Sequence, residues 1–108
     1  MRMRQTFGPF IALALIASSG SAIAQDGAAL YQTKACVSCH GPDGKSPVLP
    51  AYPKIAGQNA EYLFQQLKDI KSEARNSGMA AAMAGIMQNV NEDEMRAIAD
   101  WLASQPRK

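Results

Sequence analysis

Little in this sequence is chemically reactive. Its 108 residues include two cysteines, one histidine and one tryptophan, and aromatic residues make up only 6%. Two cysteines exclude a multi-disulfide scaffold. They stand three positions apart, so a bridge between them would close a loop too short to remove much chain entropy. No stretch alternates polar and apolar residues long enough to read as a strand, and no internal repeat or low-complexity tract is present, which removes sandwiches, barrels and solenoids. No nucleophile and base stand in a pattern that argues for covalent catalysis. Long apolar runs are also missing: Phe10 to Ala17 is about half of the roughly 20 residues needed to cross a bilayer.

That short run does have a reading. Arg2 and Arg4 precede it, and Ala22-Ile23-Ala24 supplies a small-x-small cleavage pattern, so residues 1–24 are expected to be a cleaved secretory signal peptide and residues 25–108 the mature domain. Without Arg2 and Arg4, nine of the 11 Lys and Arg remain against nine Asp and Glu. The mature surface is close to neutral and lacks the basic stripe of a nucleic-acid binder. Taking 24 from 108 leaves 84 residues, one domain with a thin core, and a core this thin usually needs a large cofactor, a metal or a disulfide to hold it.

Apolar spacing predicts an all-α fold with three main helices. Asp26 can cap the first, whose apolar members are Leu30 and Tyr31. "GPDGKSPVLPAYPKIAGQ" follows, too rich in Gly and Pro for a helix or a central strand. A loop this long in a small domain is expected to be functional. "NAEYLFQQLKDIKSEAR" is a helix capped by Asn59, with Leu63, Leu67 and Ile70 on its apolar side and "NSG" at 76–78 as its stop. In the last helix, Asn91 and Glu94 have capping-box spacing, and Val90 and Met95 stand at the staple positions.

Chemistry concentrates in "CVSCH", residues 36–40, which joins both cysteines to the only histidine. A structural zinc site needs about four ligands, and the motif offers three. A thioredoxin-like dithiol would follow a strand, whereas this one follows a helix. A plain disulfide is a poor staple. Cys-x-x-Cys-His is the signature of covalent haem attachment, with the two thiols on the vinyl groups of one porphyrin edge and the histidine below the iron. The haem would also be the missing body around which short helices close.

A lone histidine leaves the sixth iron position to a Met, Tyr or Lys, or open. Met79, Met83, Met87 and Met95 follow the expected cleavage point. Met95 is accounted for by the last helix. The other three recur every four residues, either as one helix face or in a Gly-flanked, alanine-rich loop that lays a sulfur against iron.

"CVSCHGPDGKS", "YPKIAGQNAEYLFQQLKDIK" and "NEDEMRAIADWLASQ" together resemble a class I c-type cytochrome, in particular one half of the tandem di-haem cytochromes of bacterial periplasms. With one motif, the chain looks like a single-haem version. The resemblance implies the small class I cytochrome c fold, one covalent haem c on Cys36 and Cys39, His40 as proximal ligand and Met83 as distal ligand, since Met83 is followed two residues on by Gly85. It also implies that the Pro47 carbonyl accepts the imidazole N–H and that Arg75 stands near a propionate, while Tyr62 reads as core.

The expected function is a periplasmic electron carrier, not an enzyme, exchanging electrons with a dehydrogenase, oxidase or reductase. It would not span the membrane after signal cleavage. The alternatives are a haem subunit of a larger dehydrogenase or oxidase, a haem sensor with an open distal site, and a thiol–disulfide oxidoreductase.

Overall fold

A computed structural model describes residues 25–108, so the expected signal peptide at 1–24 lies outside the described residues. Five helices follow one another: α1 (Gly27–Thr33), α2 (Val37–His40), α3 (Ala60–Lys71), α4 (Ala80–Met87) and α5 (Glu92–Ser104). No strand occurs among the described residues. The all-α expectation holds, with two short helices added to the three main ones. No helix among the described residues is long and apolar enough to cross a membrane.

The helix starts follow their local chemistry. The Asp26 carboxylate accepts the Ala29 N–H at 3.2 Å, and the Asn59 side chain accepts that of Tyr62 at 3.0 Å. At α5 the box is reciprocal: Asn91 accepts from Glu94 N–H and Glu94 accepts from Asn91 N–H, both at 2.9 Å. Each cap thus satisfies a backbone donor that the first turn would otherwise leave without a partner. Val90 and Met95 are both buried beside that cap.

Two boundaries differ from expectation. α3 stops at Lys71 instead of Arg75, because Glu73 turns into the left-handed region (φ 64) and the Gln88 side chain caps the Lys71 carbonyl at 3.1 Å. The alanine-rich segment is a helix, α4, where a loop was an open possibility. Alanine is the strongest helix former, and a run of it outweighs the roughly 1 kcal/mol cost of one interior glycine, Gly85.

α1 and α3 both pack on α5, and α4 packs on α3. α1 comes very near α5 at Gly27, where a Cβ would fall 2.2 Å from the Ala97 carbonyl oxygen; only glycine allows this crossing. Tyr31, with no exposed surface, tilts against Trp101 with ring centroids 4.9 Å apart. Between α3 and α5, Arg96 lies 3.9 Å over the Phe64 ring and forks onto the Glu61 carboxylate at 2.7 and 3.2 Å. Phe64, Leu67, Ile98 and Leu102 fill the space between them. Beside this α1–α3–α5 frame, α2, α4 and the 41–59 loop surround a hollow together with α3.

Candidate cofactor site

That hollow is a cavity of ≈ 370 Å³, within the usual size range of small-molecule and cofactor sites. Cys36, Cys39 and His40 line it from the α2 segment. Leu63, Leu67 and Ile70 line it from α3, and Met79, Met83, Ile86 and Met87 from the α4 segment. The lining is mainly apolar, with Arg75 its only charged residue. Cys36, Cys39, His40 and Met83 therefore line one cavity.

The α2 turn explains how three reactive residues share one wall. Ala35, at φ 68, breaks the chain after α1 and re-aims it into a single helical turn, Val37–His40. Gly41 ends that turn at φ 81, where a Cβ would meet the Ser46 carbonyl oxygen at 2.1 Å. A side chain at this position would meet both a left-handed backbone and a steric block. Cys36 is buried, and burial pushes its thiol up to about 11, away from the depressed values of catalytic thiols. Both cysteines are free. Among the described residues no group of three or more His, Cys, Asp and Glu side chains is placed to hold a metal ion.

His40 is buried, and its Nδ1 lies 3.0 Å from the Pro53 carbonyl oxygen. A carbonyl can only accept, so Nδ1 carries the proton and Nε2 keeps its lone pair as the free donor to a metal. The expectation named the right contact but the wrong proline: Pro53 makes it, not Pro47. Both belong to the same Pro-rich loop, and the loop's path, which spacing does not encode, selects between them. Tyr62 is also corrected: it is 51% exposed and lines the cavity's edge instead of the core. Arg75 does line the cavity, its guanidinium donating to Gln66 Oε1 at 2.8 Å.

The three methionines differ sharply in burial. Met79 is 55% exposed and Met87 only 1%, while Met83 is half-buried and packs against the core. Met95 is buried under α5 and does not line the cavity. One residue was missed from the sequence: the Tyr31 hydroxyl donates to the Gly41 carbonyl, directly after His40. Burial, first of all, pushes the Tyr31 pKa up to about 12, so it remains a donor at ordinary pH.

A helical fold of this size, with Cys-x-x-Cys-His opening one wall of an apolar cavity and methionines on another, defines a c-type cytochrome domain. The cytochrome c family model matches residues 24–106, and the chain belongs to that family. It is 36% identical over 93 residues to cytochrome c-553 of Nitratidesulfovibrio vulgaris, covering 86% of this chain and 89% of that protein. It is 42% identical over 89 residues to cytochrome c4 of Pseudomonas aeruginosa, covering 81% of this chain but 42% of the relative. A third relative, a thiosulfate dehydrogenase electron acceptor of Stutzerimonas stutzeri, is 34% identical over 89 residues, or 82% of this chain and 41% of that one. The chain thus spans less than half the length of these last two relatives. Proteins of this family carry covalently attached haem c and pass electrons to and from redox partners, and one such domain accommodates one haem.

Proposed function

We propose that this protein is a periplasmic one-electron carrier whose haem is held by Cys36 and Cys39 through thioether bonds and ligated by His40 and Met83. The observation that supports it most is the shared cavity: both thiols, the only imidazole and three thioether sulfurs line one apolar hollow. When bound there, haem supplies an iron that alternates between the ferric and ferrous states. The chain's own contribution is positional and electrostatic. The Pro53 carbonyl fixes the His40 ring and makes Nε2 the better donor. A soft methionine sulfur favours reduced iron and raises the potential. The apolar walls on α3 and α4 keep water away, which disfavours the more highly charged oxidised state.

Met83 is the preferred sulfur because Met87 is committed to the core and Met79 stands out at the cavity edge. With three sulfurs on the same cavity as His40, an open distal site has little support. The burial of Cys36 and its raised pKa count against a thiol–disulfide oxidoreductase. No substrate is transformed. Tyr62 and Met79, both lining the cavity and more than half exposed, give a small, partly apolar docking rim on a protein without strong charge excess. Docking of this kind makes partner reduction only weakly dependent on salt.

The relative that accepts electrons for thiosulfate dehydrogenase favours a dehydrogenase as donor. Co-purification with a catalytic subunit would show instead a fixed place in a larger complex. Oxidised and reduced visible spectra of the purified protein test the reading: a haem c spectrum is expected, together with the sulfur-to-iron charge-transfer band of the ferric form at the red end. A colourless protein would end it, and ready carbon monoxide binding by the reduced form at neutral pH would replace Met ligation with an open site.

A further inference from the structure

Tyr31 lies on α1, outside the cavity, yet its hydroxyl reaches the segment that carries His40. We infer that Tyr31 is a positioning residue: its hydroxyl holds the carbonyl of Gly41 and so fixes where the α2 end presents the His40 ring. The role rests on the reading of His40 as an iron ligand.

The argument begins with what packing alone would require. The Tyr31 ring has no exposed surface and lies against Trp101, and a phenylalanine would fill that place equally well. A hydroxyl in the same place must be desolvated, so it is tolerated only where a partner meets it. That partner is Gly41, itself buried. The Gly41 N–H closes α2 on the Val37 carbonyl at 3.1 Å, but its own carbonyl points beyond the helix. Among the described residues the only other donor to it is the Gly44 N–H at 3.4 Å, a long contact. Tyr31 therefore supplies the main anchor for the carbonyl immediately after His40.

His40 is thus held by three separate pieces of the fold. Its own N–H bonds to the Cys36 carbonyl at 3.1 Å within the α2 turn, its ring bonds to the Pro53 carbonyl, and its C-terminal neighbour bonds to α1 through Tyr31. α1 in turn is locked to α5 at the Gly27–Ala97 crossing and through the Tyr31–Trp101 contact. Contact by contact, the frame reaches the ring. Ligand placement and the hydrogen bonding of the ligand's other nitrogen both tune a metal site, so the hydroxyl acts on the iron through His40.

The test uses full-length, haem-loaded protein and the variant Tyr31→Phe, which keeps the ring and removes the donor. The readouts are the midpoint potential and, by NMR of the reduced form, exchange of the His40 Nδ1 proton. A positioning role shifts the potential and speeds that exchange by about five- to tenfold, as loss of one buried hydrogen bond does to a local opening equilibrium. Val90→Ala, which opens the core but alters neither the Tyr31 donor nor its Trp101 contact, lowers stability and leaves both readouts near those of the parent. Unchanged potential and exchange in Tyr31→Phe, with only a stability loss, would overturn the inference. The parent gives an independent check that needs no variant to fold: its Tyr31 hydroxyl proton is expected as a separate, slowly exchanging resonance, and a rapidly averaged one would also overturn it. A parent whose His40 resonances carry no haem shift would sink the ligand reading itself, and the Tyr31 role with it.

Discussion

The His40 ring and the Pro53 carbonyl, thirteen residues apart, meet at 3.0 Å. This contact settles the imidazole tautomer, since only Nδ1–H can donate to a carbonyl. It also gives the Pro-rich loop a task beyond connection, because the loop holds the back of the ring whose front lines the cavity. Pro53→Ala keeps the carbonyl but frees the backbone that aims it. Faster exchange of the His40 Nδ1 proton is expected in this variant and not in Pro47→Ala, as measured by NMR on the reduced protein.

Burial falls from Met87 through Met83 to Met79, and under the proposed Met83 ligation the three substitutions differ in outcome. Met87→Ala is expected to destabilise the fold by about 2–5 kcal/mol through the cavity it opens. Met79→Ala, at an exposed position, should stay within about 0.5 kcal/mol of the parent. Neither is expected to abolish the sulfur-to-iron charge-transfer band, whereas Met83→Ala is. Urea unfolding and the oxidised spectrum of each variant check both halves, and persistence of the band in Met83→Ala would move the ligand to another methionine.

Gly41 is set by two independent constraints, its φ of 81 and the Ser46 carbonyl oxygen 2.1 Å from any Cβ. Gly41→Ala must therefore displace the 41–46 turn or the end of α2. The expected result is a loss of at least about 1–3 kcal/mol, the scale of one strained backbone position. Lower haem occupancy is expected with it, read from the ratio of haem to protein absorbance.

Acid should loosen the start of α5. The Asn91 backbone N–H, more than any other group, holds the Glu94 carboxyl below its ordinary range, with the Lys34 ammonium adding to the effect. A carboxyl whose folded pKa is depressed adds stability above its unfolded value, and that stability is lost as pH falls through the folded one. The loss therefore begins near about pH 5 and continues downward. Glu94→Gln should flatten this part of the pH–stability curve, and Asn91→Ala should cost about 0.5–2 kcal/mol at neutral pH. Urea melts across the pH range measure both.

The parts of the fold written in local chemistry were legible before any coordinates. Asp26, Asn59 and the Asn91–Glu94 box cap their helices through side chains within three residues of the groups they bond, so spacing alone reveals them. Cys36, Cys39 and His40 stand within five positions and are equally plain. What spacing does not carry is the path of a loop. Pro47 and Pro53 are chemically alike, and only the turn between Gly41 and Ala56 places one of them behind His40. Tyr31 escaped notice for a related reason: its aromatic ring accounts fully for a core position, and its hydroxyl gains meaning only once Gly41 is seen beside it. α4 was legible in part, since alanine favours helix. Its tertiary support comes from α3, a contact that no periodicity shows.

The crossing of α1 and α5 at Gly27 joins the two extremes of the described chain, and this bears on the order of assembly. Residues 36–40 precede Trp101, the neighbour against which Tyr31 must lie, by some sixty residues of chain. Until α5 exists, the frame behind the Cys-x-x-Cys-His turn cannot close. Contacts this distant in sequence also form late once the chain is complete, because a long loop must be closed first. While α5 is undocked the Cys36 and Cys39 thiols lie on an open chain, so under the proposed thioether attachment a bulky planar group can reach them before the fold closes.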